Sequence, residues 1–502
     1  METQAHKLLN RETAEHSKTI RKTKTYDLPL QPGIVHLGLG AFHRAHQALI
    51  TDETMASTDD EQWGIVAANI RSGARLVEQL KQQDHLFTVT ETSKEHGLQC
   101  RLISSLVETH FAGADEPNNH NHQRLLATMA LPDIRIVSLT ITEKGYGLNP
   151  ATGELLDDHP LIHHDLHNPD SPRSAIGLIV AALSLRKRND LHPFTVLSCD
   201  NIPDNGSRTR QAVLQMAERL DKDLASWIHQ YGAFPSTMVD RIVPAITDED
   251  LNNVEQNTGL RDNCAIVCES FKQWVIEDNF VGGENGRPDW DCIDGVQFVE
   301  DVRPWEEMKL RMLNGAHSFI AYTGLLAGYQ TVAEVMEDQT FADAAKHVMV
   351  EAAPTLVMPD GADLADYADS LITRFQNPHL AHKTTQIASD GSQKIPQRWL
   401  NTVRWHLAHG SDFSLIAAGI AAWISCMSTM EITDPMATQL REIAAQHTGN
   451  ISELTKAFIA CSDIFGEDLS HNIQFIETVV QSAEQLHQQG IKTLLHSLIE
   501  KT

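Results

Sequence analysis

Gly33-Ile34-Val35-His36-Leu37-Gly38-Leu39, followed by Gly40-Ala41-Phe42-His43-Arg44-Ala45-His46-Gln47-Ala48, reads as a short apolar strand, a glycine turn and the start of a helix. In a nucleotide-binding βαβ unit the first glycine permits the tight turn, and the second lets the backbone approach a pyrophosphate at the helix start. Gly38, Gly40, Ala41, Phe42 and His43 are therefore candidate cofactor-binding residues. His43 stands where a third glycine is usual, which predicts a helix held farther from the strand or an altered phosphate contact. A plain strand, turn and helix without a ligand satisfies the same spacing.

Outward from this turn, WGIVAANI at 63–70, LFTVTET at 86–92, IRIVSLTIT at 134–142 and FTVLSCD at 194–200 alternate with helical patterns. That alternation predicts an α/β fold with a Rossmann-type, parallel, doubly wound sheet. The second strand of such a sheet normally ends in a carboxylate that binds the adenosine ribose; here Asn69 and Arg71 occupy the position. An amide still binds ribose hydroxyls and an arginine tolerates a 2′-phosphate, so NAD is preferred over NADP without being dictated. Thr142, Glu143 and Lys144 close a later strand at the edge where nicotinamide is expected.

Beyond about residue 300 strand patterns end, and stretches such as EEMKLRMLNGAHSFIAYTGLLAG and FSLIAAGIAAWISCMSTM read as helices. The expected organisation is a cofactor domain over residues 1–299 and a mostly helical substrate and catalytic domain over 300–502. With 41% apolar and 21% charged residues among 502, the composition is that of a soluble globular protein, and no apolar run is long enough to span a bilayer. The N-terminal residues are polar and lack an apolar segment, so a short arm or frayed tail is expected and not a secretory signal. A formal charge of −27 disfavours nucleic acid as a partner, and an anionic ligand must meet a local cationic cluster. Seven scattered cysteines suit reduced thiols in the cytoplasm. No metal is expected: Cys264 and Cys268 have no partner pair, and LDDHPLIHHDLHNP, with two prolines and His159, His163, His164 and His167, reads as a solvated loop.

The strongest local signal is Lys309-Leu310-Arg311-Met312-Leu313-Asn314-Gly315-Ala316-His317. At about 100° per residue, Glu306, His317 and Asn314 fall within about 140° of Lys309 on one helix face. A Lys309–Glu306 ion pair on a solvated helix fits this geometry as well. Reduction of a ketone needs a proton donor at oxygen and hydrogen-bond donors for the growing negative charge, and a partly desolvated lysine flanked by amides supplies both.

GLGAFHRAHQA, TEKGY, SCDNIPDNG, MVDRIVP and KLRMLNGAHS together resemble the polyol-specific long-chain dehydrogenase/reductase family across nearly the whole chain. The resemblance implies an NAD(H)-linked enzyme without metal. It implies Lys309 as general acid and base, Asn314 and Asn201 as an oxyanion hole, and His317 orienting substrate. Asp240 would contact the substrate chain and Glu306 would relay protons to solvent. SCDNIPDNG, FKQWVIEDNF, RPDW and SDGSQKIPQR most resemble the branch that interconverts fructuronate and mannonate. A sugar acid suits Lys394 and Arg398, four residues apart, with Arg374 as a further cation. Surface charge is the plainer reading of these residues, and a neutral polyol or tagaturonate as substrate would use the same lysine.

Overall fold

The structure is a computed structural model describing residues 7–17, 19–22, 30–93, 97–113, 120–149, 152–359, 362–378 and 382–501. It divides into two units, Met1–Val302 and Arg303–Thr502. Parts of the expected N-terminal arm, residues 1–6, 18 and 23–29, lie outside the described residues. What is described of the arm is paired: Lys7–Leu8 runs parallel to Leu260–Arg261, and Arg21–Lys22 runs parallel to part of Gly97–Ile103.

The first unit is built on five strands: β1 (Pro32–Leu37), β2 (Gly64–Asn69), β3 (Leu106–Phe111), β4 (Ile136–Leu139) and β5 (Thr195–Ser198). Their order is β3-β2-β1-β4-β5, every pair parallel. This is the order of a dinucleotide-binding sheet. The strands are near-continuous apolar runs because both faces are covered. Ile34, Ile65 and Ile136 point to the side holding Leu49, Ile50, Val77 and Leu80. Val35, Val66 and Val137 point to the opposite core, with Ile176, Ile179 and Val213.

Three expectations are corrected in this unit. The strand at LFTVTET exists as Phe87–Ser93, but it pairs antiparallel with Gly97–Ile103 and parallel with Ile266–Glu269 in a separate sheet. The helix after the glycine turn is two helices, Ala41–Ala45 and Gln47–Thr58, broken at His46 (φ −119°, ψ −91°). The His-rich segment is not a loop: Pro160–His167 is a helix with Pro160 in its first turn, where the missing N–H costs nothing. Asp165 from that helix is buried and accepts from the backbone of Arg173 and Ser174 at 2.7 and 2.8 Å.

The described residues of the second unit form no strand element, and two of its helices are buried almost all round. Gly315–Ala327 and Ser414–Thr429 carry residues such as Phe319, Ile320, Ile420 and Trp423 into one core. Such helices belong at the centre of an all-helical layer. None of the described helices is long and apolar enough to cross a membrane.

Candidate active site

In the first unit β1 is flanked by β2 on one side and by β4 on the other, so the connections leave β1 in opposite directions. A crevice at such a switch point, beyond the carboxyl ends of the strands, is where an open α/β sheet binds its ligand. A cleft of about 710 Å³ lies there, lined by Gly38, Asn69, Arg71, Thr140, Thr142 and Lys144 among others. Gly38 has φ +110°, and a Cβ on it would sit 2.1 Å from the Thr140 carbonyl oxygen, so only glycine fits. A Cβ on Gly40 would meet nothing nearer than 3.8 Å, which leaves open space over the exposed turn.

The His43 ring, where a third glycine is usual, is buried and stacks on His36 of β1, centroids 3.4 Å apart and planes 9° from parallel. A side chain thus stands between helix and strand where glycine would place none. Burial lowers both histidine pKa values, His36 to about 3, so both rings are neutral at ordinary pH. His36 contacts Ser138 Oγ at 2.8 Å and Thr140 Oγ1 at 2.9 Å, which ties the turn to β4. Phe42 stacks on His46 at 5.0 Å. Asn69 donates its amide to the Leu39 carbonyl at 3.2 Å, fixing the turn and leaving its side-chain oxygen as acceptor. Arg71, Glu143 and Lys144 are exposed, and Glu143 pairs with Arg208 at 3.4 Å.

Asn201 stands exposed on the loop after β5, and Asp240 is buried at the end of the strand Thr237–Asp240. Three residues that sequence reasoning did not single out hold these groups and the neighbouring Thr142. Asn205 donates to the carbonyls of Asp200 and Thr237, both at 2.9 Å, and accepts from the Thr237 N–H at 2.9 Å. It therefore fastens the Asn201 loop to the strand that carries Asp240. Arg241 is buried against the Glu91 carboxylate and the Glu269 carbonyl, anchoring the far side of Asp240. Asp200 accepts from the backbone N–H of Ile141 at 3.0 Å and of Thr142 at 2.8 Å, and from the Tyr146 hydroxyl at 2.8 Å. Burial pushes its carboxyl pKa up, and those hydrogen bonds pull it back. Thr142 itself has φ +64°, ψ 163°, a region that costs a residue with a Cβ about 1–3 kcal/mol.

In the second unit the candidate lysine does not lie on a regular α-helix. The α-helix Arg303–Met308, with half-buried Glu306, passes at Lys309 into a π-helical turn, Lys309–Asn314, before α-helix resumes at Gly315. The Gly315 N–H reaches back to the carbonyl of Leu310, five residues earlier. The wheel of 100° per residue is therefore corrected: i to i+5 bonding brings Asn314 nearer the face of Lys309 than α geometry does. Lys309 is buried, 7% exposed.

A second π-turn, Pro396–Leu400, braces the first. Arg398 donates to the Asn314 carbonyl at 3.1 Å and to Ser318 Oγ at 2.6 Å, while Trp399 donates its indole N–H to the Gly315 carbonyl at 3.1 Å. His317 stacks on Phe375 at 5.3 Å and meets His382 edge-on at 4.9 Å. Burial pushes its pKa well below the usual value, helped by His382 and by the charges of Arg398, Arg374 and Lys394. Lys394 donates to the Ser389 carbonyl at 2.6 Å; burial and Arg398 lower its pKa. Burial brings Arg398 to about 10, still charged at neutral pH. A neutral histidine that feels the charges of three cationic side chains can order a hydroxyl beside a carboxylate. Among the described residues no group of three or more His, Cys, Asp and Glu is placed to hold a metal ion.

The chain matches the family models described as the mannitol dehydrogenase Rossmann domain over residues 32–291 and the mannitol dehydrogenase C-terminal domain over residues 301–487. Two proteins of Escherichia coli strain K12, an oxidoreductase named YeiQ and a D-mannonate oxidoreductase, are each 47% identical over 479 residues. The alignments cover 93% of this chain in both cases, and 95% and 96% of those proteins. The structure of Pseudomonas fluorescens mannitol 2-dehydrogenase, a ternary complex with NAD and D-mannitol, superposes with a TM-score of 0.82 at 35% identity. That match covers 98% of this chain and 100% of the other.

Proposed function

The chain belongs to the mannitol dehydrogenase family, and from that premise we propose that it interconverts D-fructuronate and D-mannonate with NAD(H), by hydride transfer and without a metal. The observation that carries the substrate is the placing of Arg398 against the helix of Asn314 and His317, where it donates to the Asn314 carbonyl and to Ser318 Oγ, with the charges of Arg374 and Lys394 also felt at His317. In a chain of net charge −27, three cations whose charges converge on one half-buried histidine suit the carboxylate of a sugar acid. The 47% identical D-mannonate oxidoreductase supports the same choice.

Residues 1–299 are the proposed cofactor domain and 300–502 the substrate and catalytic domain. The cleft suits NAD: it opens at the switch point, is floored by a glycine that admits no Cβ, and carries no side chain over Gly40. The backbone of Gly38, Gly40, Ala41 and Phe42 would hold the pyrophosphate, with His43 supporting the turn from below. Asn69 and Arg71 would meet the adenosine ribose, and Thr142, Glu143 and Lys144 the nicotinamide half. When bound, NADH supplies the hydride that reaches the ketone carbon.

Lys309 donates a proton to the ketone oxygen as the carbon–oxygen double bond becomes a single bond, and recovers it in the reverse direction. Asn314 and Asn201 donate hydrogen bonds to that oxygen while its negative charge grows. His317, neutral, orders a substrate hydroxyl, Asp240 holds the chain, and Glu306 passes the proton between Lys309 and solvent. Seven thiols without a disulfide suit the cytoplasm, the compartment we propose. Turnover measured side by side on mannonate, altronate, mannitol and arabinitol tests the reading. Activity confined to mannonate is expected. Activity on altronate alone would make the chain a tagaturonate reductase, and activity only on neutral polyols would remove the carboxylate role.

A further inference from the structure

We infer that Asp200 is a positioning residue for the nicotinamide half of the cofactor, acting through the backbone of Thr142. The inference rests on the proposed NAD site and names a residue that the motif comparison leaves without a role. Asp200 stands on the loop after β5, yet its carboxylate reaches across to the end of β4. There it takes two consecutive N–H groups, Ile141 at 3.0 Å on one oxygen and Thr142 at 2.8 Å on the other. The Tyr146 hydroxyl, shared with Ser198 Oγ at 2.7 Å, holds the first oxygen from below at 2.8 Å.

The clamped residue is the strained one. Thr142 sits at φ +64°, ψ 163°, a conformation natural to glycine, with its side chain exposed on the cleft. Left alone, a threonine relaxes into the extended region, and the TEKGY turn swings with it. The Asp200 bond to the Thr142 N–H opposes that rotation. It also explains why Thr142 and Lys144 leave β4 along the cleft wall. β4 lies beyond the switch point from β1 and β2, and so belongs to the half of the sheet that receives the second nucleotide, the nicotinamide. Asp200 itself does not need to touch the ligand. Its oxygens are occupied by the loop and by Tyr146.

Binding of NADH and of ADP-ribose, which lacks the nicotinamide ring, separates positioning from general support. Wild-type protein is expected to bind both. Asp200→Asn leaves one acceptor oxygen for two N–H groups and turns an amide donor towards the other; it should weaken NADH about tenfold and leave ADP-ribose within about twofold. Adding Thr142→Gly, which makes the backbone conformation unstrained, should recover part of the lost NADH affinity. If Asp200→Asn does not fold, Tyr146→Phe provides the reading, with a shift of the same sign of about two- to threefold. Equal weakening of both ligands, or no change in either, overturns the inference. Failure of wild-type protein to bind ADP-ribose would instead defeat the proposed NAD site, and the inference with it.

Discussion

The two units hold their candidate groups by different means. In the first, Asn201, Asp240 and Thr142 stand at strand ends and are fixed by side chains that reach from other segments. Asn205 ties Asp200 to Thr237, Asp200 ties β5 to the end of β4, and Arg241 reaches Glu91, 150 positions away. In the second unit, Lys309, Asn314 and His317 ride on one continuous helix, and what fixes their relation is the backbone register itself, altered by a π-turn. The difference predicts how each fails. Damage to the first unit displaces one loop, whereas damage to the second rotates several groups at once.

The largest expected effect falls on the group whose chemistry nothing nearby replaces. Lys309→Ala should lower kcat by about 10²–10⁴ while NADH affinity stays within about twofold of wild type. Steady-state kinetics beside a fluorescence titration of NADH reads both, and unchanged kcat would refute Lys309 as the acid and base. Inserting one alanine between Met312 and Leu313 attacks register alone. The π-turn already holds one residue more than α-helix does, so a further residue turns Glu306 and Lys309 by about 100° against Asn314 and His317 without deleting any of them. We expect kcat/KM for mannonate to fall at least about 100-fold, with the helical circular dichroism retained. Wild-type kinetics from that insertion would show that the register positions nothing.

That register was not legible in the sequence. A wheel drawn at 100° per residue assumes the regular helix that the KLRMLN segment departs from, and no residue type in it announces an i to i+5 bond. The glycine turn, by contrast, was legible, because Gly38 faces a steric condition that one residue type alone meets. Its neighbour is legible only in part: the spacing shows that His43 stands where a third glycine is usual, but not that its ring lies flat on His36. The strand pattern of LFTVTET was equally clear, yet pattern says nothing about partners, and Phe87–Ser93 joined a different sheet. Pro160 misled for a similar reason, since proline argues against a helix except in its first turn, where it stands. Asp200 and Asn205 were visible as letters of SCDNIPDNG. Their hydrogen bonds to Thr142 and Thr237, 58 and 32 positions away, were not.

A smaller effect is expected at the cationic cluster, where recognition is shared among three side chains. Lys394→Ala should raise the KM for mannonate about tenfold and leave kcat nearly unchanged. The unchanged kcat matters because Lys394 also braces the carbonyls of Ile387 and Ser389, and a loss of bracing that disturbed the neighbouring π-turn would lower kcat as well. An unchanged KM for mannonate would leave Lys394 outside the binding site.

The smallest effect sharpens the comparison by showing one device in both units. Glu351, a half-buried carboxylate, accepts as Asp200 does from two successive backbone N–H groups, here Leu415 at 2.9 Å and Ile416 at 3.0 Å. These open the helix Ser414–Thr429, whose first N–H groups have no partner within the helix. Burial raises the Glu351 pKa to about 8 against the pull of those two N–H groups, with Asp412 adding a further upward push. A folded-state pKa above the unfolded value of 4.5 means that the folded protein holds a proton the unfolded chain releases. This contribution to stability is therefore full below about pH 4.5, declines as pH rises, and is gone above about pH 8. The steepest decline from one group is about 1.4 kcal/mol per pH unit. Glu351→Gln cannot titrate, so its Tm should fall less than that of wild type between pH 5 and pH 8, while NADH and ADP-ribose affinities stay unchanged. A parallel pH dependence of Tm in the two proteins would show that Glu351 caps the helix as a fixed charge throughout. A change in the NADH to ADP-ribose affinity ratio would instead remove the distinction between a carboxylate that holds the core and one that holds the cleft.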